Sequence, residues 1–216
     1  MPELPEVQTT VNGLNLKVLG RTFIDVWSDW KKTVKKPVSF EQFKKDIKNK
    51  KINKIWRRAK NVIFDLSSGH SLLIHQKMTG HLLYGTWNIK HKTWRPVENG
   101  PLNDPYNRFI HLLFFLDNGK MIALSDARKF AKVELWKTQE LEKELKKLGP
   151  EPLEKSFTFK KFKNVLDDRR GKIKIILMNP EIIAGIGNIY ASEILWHSKI
   201  HPERNVAKLN EKELKS

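Results

Sequence analysis

The residues best suited to chemistry lie at the start of the chain, where residues 1–6 read MPELPE. Removal of Met1 would expose a secondary amine at Pro2. An α-amino group titrates below a lysine side chain, so part of it is unprotonated near neutral pH and can attack an electrophilic carbon to form an iminium ion. Glu3 adjoins this amine and is suited to act as a general acid or base. Because Pro and Glu are also common in a first helical turn, a purely structural role stays open at this point.

The composition excludes several other kinds of site. The 216 residues include no Cys, which excludes disulfides, thiolate metal sites and cysteine nucleophiles. The seven His residues show no spacing typical of metal ligands. No apolar run approaches the roughly 18 residues of a membrane span, and the acidic start does not resemble a signal peptide. We therefore expect a soluble cytoplasmic protein that holds no metal or other cofactor.

The charge of the chain is strongly basic and uneven. It has 41 Lys and Arg against 24 Asp and Glu, a net charge of +17. Residues 31–60 hold 13 of the basic residues, with only Glu41 and Asp46 opposing them. Such clusters neutralise phosphates and release counterions, and the interleaved Phe43 and Trp56 suggest a folded face. A solubilising surface would have the same composition, so charge alone indicates a polyanion without specifying it.

The first part of the chain mixes helices with short strands. Val7, Val11, Leu14 and Val18 recur at helical spacing, and Gly20 ends the run. Ser39 with Gln42 predicts a second helix that begins with a capping box. Five segments have strand-like patterns, and they cover residues 52–56, 61–66, 71–75, 111–116 and 120–124. Residues 86–107, rich in Pro and Gly, are predicted to form a long excursion between strands.

The second part of the chain is predicted to be helical. A leucine stripe ends at Gly149 and Pro150, and further helices are predicted over residues 158–167, 172–178 and 188–198. Another would begin at Asn210. The fold class is therefore α+β, with a β-sandwich domain flanked by helices over residues 1–137 and an all-α domain over residues 138–216. Because the chain stops six residues after Asn210, we expect the helical domain to be incomplete at its C-terminus.

Six segments, in order, resemble motifs of the formamidopyrimidine-DNA glycosylases. They are PELPEV at 2–7, RRAK at 57–60, IHQKMTG at 74–80, DARKF at 126–130, LGPEPL at 148–153 and GIGNIYASE at 185–193. The last resembles the helix-two-turn-helix of that family. One such match could arise by chance, but six in sequence are specific. The chain is identified by this resemblance as a member of the bacterial family of DNA glycosylases and abasic-site lyases.

The resemblance implies a bifunctional base-excision repair enzyme. Pro2 would be the Schiff-base nucleophile at C1′ of the damaged nucleotide, Glu3 the proton donor, and Lys60 an assisting residue. The substrates would be 8-oxoguanine and formamidopyrimidines, and the strand would be cut by β,δ-elimination. Lys60 lies among other basic residues, so a plain phosphate contact is its alternative role.

The resemblance also implies residues that fill the space left by an extruded base, a step that such chemistry requires. These are Met78, Arg128 and Phe130: a flexible apolar chain, a guanidinium able to bond the orphaned base, and an aromatic wedge. Without the family, Met78 and Phe130 would be assigned to the hydrophobic core. Their basic neighbours favour exposed loops instead.

Further DNA contacts are implied by position in the family motifs. They are His75, Arg108, Arg128, Arg169, Lys174 and Asn188. Asn188 follows a glycine-rich turn at the start of a helix, where free backbone N–H groups bind anions, although a plain N-cap is compatible with the same sequence. Arg169 and Lys174 are predicted on the preceding helical run. His75, at a strand end, is either buried and hydrogen-bonded or in contact with DNA.

The chain departs from the family pattern in three places. The usual zinc finger of four cysteines has no counterpart, since the chain has no Cys. Ala127 stands where the family often has Pro, and Gln8 where it often has Glu. The histidine often found before the strand at residue 112 is displaced, and Arg108 is assigned its phosphate role.

Three alternatives to this function stay open. The chain could be a DNA-binding module that has lost catalysis, an endonuclease VIII-like enzyme acting on oxidised pyrimidines, or an RNA-binding protein. Leu4 favours purine lesions, because the endonuclease VIII group tends to have Gly there. The expected partner is damaged double-stranded DNA. We expect a monomer without an obligate protein partner, associated with the nucleoid of a bacterial cytoplasm and not with a membrane.

Overall fold

The computed structural model of the chain describes residues 2–91 and 93–216, which form two compact units. Unit 1 extends to Arg57 and resumes over Asn61–Leu141, and unit 2 comprises Arg58–Lys60 and Glu142–Ser216. We predicted a boundary between residues 137 and 138, and the units themselves divide between residues 141 and 142. Within the described ranges, no helix is both long and apolar enough to cross a bilayer.

Helix α1, Leu4–Val18, has the predicted apolar face. Val7, Val11, Leu14 and Val18 are buried, and Pro5 lies in the first turn, where its missing N–H costs no hydrogen bond. The chain leaves the helix at Leu19, and Gly20 follows with a φ of 79°.

Helix α2, Phe40–Ile47, begins at the predicted cap, but its capping box is only half present. The Ser39 hydroxyl accepts a hydrogen bond from the Gln42 N–H at 3.3 Å. The Gln42 side chain points along the helix and donates to Asp46 Oδ1 at 2.6 Å. The hydroxyl thus caps the first turn, while the amide reinforces the next.

Eleven strands occur in the described part of unit 1. Their bounds are β1 Phe23–Ser28, β2 Val34–Lys36, β3 Ile52–Arg58, β4 Asn61–Leu66, β5 His70–His75, β6 His81–Gly85, β7 Trp87–Lys90, β8 Thr93–Pro96, β9 Ile110–Leu116, β10 Met121–Ser125 and β11 Lys132–Lys137. One sheet has the order β1-β9-β10-β6 and another the order β2-β11-β5-β4-β3. The five predicted strands correspond to β3, β4, β5, β9 and β10, each within two residues at either end.

The two larger sheets of unit 1 share one hydrophobic core with α1 and α2. The core includes Phe23 of β1, Phe64 of β4, Phe114 of β9 and Phe43 of α2. The rings of Phe23 and Phe114 lie 5.3 Å apart. Because side chains from both sheets interdigitate in a single cluster, unit 1 is the predicted β-sandwich flanked by helices.

The predicted excursion over residues 86–107 contains the hairpin of β7 and β8. Trp87 at its start is 1% exposed, and Trp94 in β8 makes an edge contact with Trp27 at 5.4 Å. The excursion is therefore anchored by tryptophans, a packing that its Pro and Gly content did not indicate.

The second part of the chain is helical, as predicted. The helices are α3 Thr138–Leu145, α4 Phe159–Leu166, α5 Ile173–Met178, α6 Asn188–His197 and α7 Glu211–Lys215. Gly149 lies where a Cβ would be 2.4 Å from the Ile182 carbonyl oxygen, so only glycine fits there. The predicted start of α7 is confirmed, since Asn210 and Glu213 form a reciprocal capping box.

Candidate active site

The start of α1 holds the two residues expected to carry chemistry in unit 1. Glu3 is the N-cap residue, and its N–H donates to Glu6 Oε2 at 2.8 Å while its side chain accepts from the Glu6 N–H. Glu3 is 1% exposed, and the adjoining Pro2 is half-buried. The helix start thus fixes a buried carboxyl group immediately beside the position of the expected amine.

Lys60 lies in a turn that groups with unit 2, directly after Ala59, whose φ is 52°. The Ala59 N–H donates to Glu151 Oε1 at 2.6 Å, and Arg58 Nη1 donates to the same oxygen at 2.8 Å. Arg58 Nη2 donates to the carbonyls of Leu148 and Gly149, each at 2.7 Å. Glu151 is 5% exposed. The turn that carries Lys60 is therefore held by an ion pair to a buried carboxylate and by three further hydrogen bonds.

Met78 lies in a tight turn after β5. The turn is closed by the Gly80 N–H, which donates to the Gln76 carbonyl at 3.1 Å, and a Cβ at Gly80 would lie 2.3 Å from that oxygen. Lys77 has a φ of 58°, in the left-handed region that non-glycine residues seldom adopt. Met78 is 42% exposed, so the alternative assignment of this side chain to the core is wrong.

A second loop, between β10 and β11, carries Arg128 and Phe130. The Arg128 guanidinium lies 4.6 Å from the centre of the Phe130 ring, which is a cation–π contact. The Phe130 side chain is 51% exposed. Lys129 between them also has a φ of 58°, and its Nζ lies 4.8 Å from the ring centre of Trp30. Phe130 is therefore a surface residue, as the family resemblance implies.

His75 and Arg108 occupy different environments. His75 is half-buried, and its Nδ1 accepts a hydrogen bond from the Lys77 N–H at 3.0 Å, so this ring nitrogen supports the Met78 turn. Arg108 ends a short 3₁₀ helix, Pro105–Arg108, and is exposed, with its guanidinium 4.8 Å from the centre of the Phe109 ring.

In unit 2 the structure links two of the predicted DNA contacts. Lys174 Nζ on α5 donates to Ser192 Oγ at 2.9 Å, and Ser192 Oγ donates to the Asn188 carbonyl at 2.8 Å. The N-cap of α6 is Gly187 and Asn188 is the first helical residue, so the plain N-cap interpretation of Asn188 is wrong. Arg169 was predicted on a helix, but α4 ends at Leu166 and Arg169 lies exposed in the loop before α5.

Some of the charge in the basic stretch over residues 31–60 is already paired within unit 1. Lys31 bonds Glu41 at 2.7 Å, Lys44 bonds Asp25 at 2.9 Å, and Lys36 bonds Glu140 at 3.1 Å. The hydrogen bond from Lys31, together with its charge, holds the pKa of Glu41 below its ordinary value. The positive surface available to a polyanion is therefore smaller than the composition suggested.

Four residues near the candidate site have contacts that their sequence context did not predict: Gln76, Thr79, Asp126 and Glu151. Asp126 and Glu151 are buried carboxylates that organise the loops carrying candidate residues. An acidic residue that directly follows an apolar strand and precedes a turn is the signal that could have identified Asp126. Glu151 lay within a recognised motif, but its bonds to residues 58 and 59 are not local in sequence.

The residues present do not fit a four-cysteine zinc site. The chain has no Cys, and within residues 2–91 and 93–216 no three His, Asp or Glu side chains are grouped so as to hold a metal ion.

Family models match both parts of the chain. Residues 1–133 match the formamidopyrimidine-DNA glycosylase N-terminal domain, and residues 148–216 match the H2TH domain of the same family. A formamidopyrimidine-DNA glycosylase of Pelotomaculum thermopropionicum is 37% identical over 99% of this chain, and one of Ligilactobacillus salivarius is 38% identical over 100% of it. In each case the match covers 72% of the relative.

Solved structures give the same result. A complex of Lactococcus lactis Fpg with DNA containing N7-benzyl-Fapy-dG superposes with a TM-score of 0.84 at 32% identity, over 99% of this chain and 74% of that one. A complex of the same protein with DNA containing an abasic site gives a TM-score of 0.83 at 32% identity, over 99% and 73% of the two chains. The family models, the relatives and these structures show together that the chain belongs to the formamidopyrimidine-DNA glycosylases, a family of DNA-binding repair glycosylases.

Proposed function

We propose that this chain excises 8-oxoguanine and formamidopyrimidines from duplex DNA and then cuts the damaged strand as an abasic-site lyase. The observation that carries the proposal is the start of α1, where Pro2 adjoins a carboxyl group, Glu3, with 1% of its surface exposed. The names of the relatives support base excision. Leu4 supports purine lesions, because the endonuclease VIII group tends to have Gly there.

The proposed chemistry begins when Met1 has been removed. The Pro2 nitrogen attacks C1′ of the damaged nucleotide, and the bond from C1′ to the base breaks with its electron pair going to the base. Glu3 protonates the departing base, recovers the proton that the nitrogen loses on forming its bond to C1′, and passes that proton to the sugar oxygen as the ring opens. The nitrogen, having lost its own proton, forms an iminium ion with C1′.

Strand cleavage follows from the acidity that the iminium ion gives to the 2′-hydrogen. Loss of this proton expels the 3′-phosphate by β-elimination, and a second elimination expels the 5′-phosphate. Water then hydrolyses the adduct and returns the free amine of Pro2. Lys60 assists these steps, and the buried Glu151 that bonds the adjoining Ala59 supports its turn.

The proposed DNA contacts hold an extruded nucleotide and its neighbours. Met78, Arg128 and Phe130 fill the vacated space, and the exposure of Met78 and Phe130 supports this role. Contacts with phosphates and bases are assigned to one further set of residues: His75, Arg108, Arg128, Arg169, Lys174 and Asn188. We also propose that the chain acts as a monomer on nucleoid DNA in a bacterial cytoplasm, without an obligate protein partner or a cofactor.

One observation favours a second candidate, the excision of oxidised pyrimidines. A structure of Lactococcus lactis Fpg in complex with DNA containing an oxidised pyrimidine matches this chain with a TM-score of 0.83 at 33% identity. The two candidates differ in the base that is recognised and share the chemistry at C1′.

Duplex oligonucleotides that carry a single lesion test the proposal. Protein whose mass shows Pro2 as the first residue is incubated with duplexes containing 8-oxoguanine, an oxidised pyrimidine or no lesion, and the products are resolved by length and end group. We expect fastest cutting at 8-oxoguanine, with phosphate at both new ends. Faster cutting at the pyrimidine would establish the second candidate. If the protein binds every duplex but cuts none, enzymatic function is contradicted. Binding of an RNA competitor as tightly as the duplexes, again without cutting, would also contradict it.

A further inference from the structure

Asp126 is a buried carboxylate at the point where β10 ends and the loop with Arg128 and Phe130 begins. It is 2% exposed. Oδ2 accepts a hydrogen bond from the Ala131 N–H at 2.7 Å, and Oδ1 accepts from the Thr79 hydroxyl and from the Arg128 N–H, the latter at 3.3 Å. Hydrogen bonds to an ionised oxygen are shorter and stronger than neutral ones, so this carboxylate is a firm anchor for the groups that bond it.

The bonds of Asp126 join two loops that are distant in sequence. Thr79 belongs to the turn with Met78, and its hydroxyl donates to Asp126 while accepting from the Arg128 N–H at 3.1 Å. The Asp126 carbonyl accepts from the Lys129 N–H at 3.1 Å. One carboxylate and one hydroxyl thereby fasten the Met78 turn to the Arg128 loop.

The side chains on these loops are exposed, whereas the backbone beneath them is fixed. Lys77, beside Met78, and Lys129, beside Phe130, both have a φ of 58°. Non-glycine residues adopt this conformation only when surrounding bonds impose it. The bonds to Asp126 supply that constraint on the Arg128 loop, and through Thr79 they reach the Met78 turn.

We propose that Asp126, acting through Thr79, is a positioning residue that fastens the Met78 turn and the Arg128 loop into one preformed wedge. This inference rests on the proposed function, in which Met78, Arg128 and Phe130 occupy the space of an extruded nucleotide. A preformed wedge need not be ordered when DNA binds, which favours extrusion from a duplex. An abasic site in single-stranded DNA has no opposite strand and lies outside a duplex, so its reaction with Pro2 does not depend on the wedge.

Asp126→Asn is the principal variant. Both carboxylate oxygens of Asp126 accept hydrogen bonds, whereas the side chain of Asn has only one acceptor oxygen. Thr79→Val removes the linking hydroxyl, and Thr79→Ser retains it. Asp117→Asn is the matched control, since Asp117 is an exposed carboxylate in the turn between β9 and β10. The measurement is the rate of borohydride trapping with an abasic site, in a duplex and in a single strand.

We expect Asp126→Asn and Thr79→Val to slow trapping on the duplex by about 10-fold or more, the effect of losing a buried charge-assisted hydrogen bond. On the single strand they should trap at the wild-type rate. Thr79→Ser and the control should match the wild type on both. If the trapping rate of Thr79→Val, divided by that of the wild type, is the same on the duplex and on the single strand, the inference is overturned. This outcome would hold even if Asp126→Asn failed to fold. Absence of any adduct with the wild type would instead contradict the proposed function.

Discussion

Replacing Gln76 by Met tests whether the buried side-chain amide of Gln76, at the start of the turn with Met78, lacks hydrogen-bond partners. Gln76 is 2% exposed, and neither its Nε2 nor its Oε1 has a hydrogen-bond partner among the described residues. Its backbone carbonyl, in contrast, accepts the Gly80 N–H that closes the turn. The substitution therefore changes the buried amide and leaves the backbone bonds in place.

The magnitude follows from the cost of burying an unpaired amide, about 1–3 kcal/mol in protein mutational data. Met has a similar length and no group that needs a hydrogen bond, so the space stays filled. We expect Gln76→Met to raise the free energy of unfolding by about 1–3 kcal/mol. For a chain of this size that corresponds to a rise in Tm of roughly 2–12 °C.

Urea unfolding followed by tryptophan fluorescence is the assay. Six of the seven tryptophans lie in unit 1, the unit that contains residue 76, and only Trp196 lies in unit 2. The unfolding midpoint should rise without a change in the m-value. Gln139→Met, at an exposed position of α3, is the control and should shift stability by less than about 0.5 kcal/mol. A Gln76→Met protein that is no more stable than the wild type would contradict this prediction, because the Gln76 amide would then have hydrogen-bond partners.

Three further predictions concern unit 2. Glu151→Ala should lower the free energy of unfolding of unit 2 by about 3–5 kcal/mol, because the Arg58 charge is left without its buried partner. Hydrogen exchange of the unit 2 amides measures this loss. Glu154→Ala, at an exposed position, is the control and should leave exchange unchanged. Lys174→Ala should reduce the slope of log affinity for DNA against log salt by about 0.9 if Lys174 contacts one phosphate, and an unchanged slope would remove it from the interface. The hydrogen bond and the charge of Lys215 lower the pKa of Glu211 in the folded chain. The ionised Glu211 therefore stabilises α7 at pH values above the carboxyl pKa of the unfolded chain. This stabilisation is lost as the pH falls through the lowered pKa of the folded chain. Protection factors of the α7 amides, corrected for the intrinsic pH dependence of exchange, that do not fall in acid would contradict that linkage.

Local sequence patterns predicted the elements that carry their own signals. The apolar stripe and the flanking glycine predicted α1, and Asn210 with Glu213 predicted the start of α7. By contrast β2 has three residues and pairs in parallel with β11, so its existence depends on a partner almost a hundred residues away in the sequence. No periodicity can develop in so short a strand.

The residues of the candidate site differ in the same respect, because some carry a local sequence signal and others depend on contacts distant in sequence. Motif resemblance assigned a space-filling role to Met78, Arg128 and Phe130, and the exposure of Met78 and Phe130 is consistent with that assignment. The bond of Thr79 to Asp126 spans 47 residues, and that of Ala59 to Glu151 spans 92. Such contacts are set by the packing of whole elements, and the residue types alone do not reveal them.

In the proposed mechanism, the amine of Pro2 forms a covalent intermediate with the damaged nucleotide. Borohydride reduction during reaction with an abasic duplex tests it most directly, using protein whose mass shows that Met1 has been removed. We expect a protein–DNA adduct that maps to the N-terminal residue and that forms much more slowly in Pro2→Gly, whose N-terminal amine is primary and lacks the proline ring. Absence of an adduct with the processed protein, or an adduct that maps to a lysine and persists in Pro2→Gly, would contradict this mechanism.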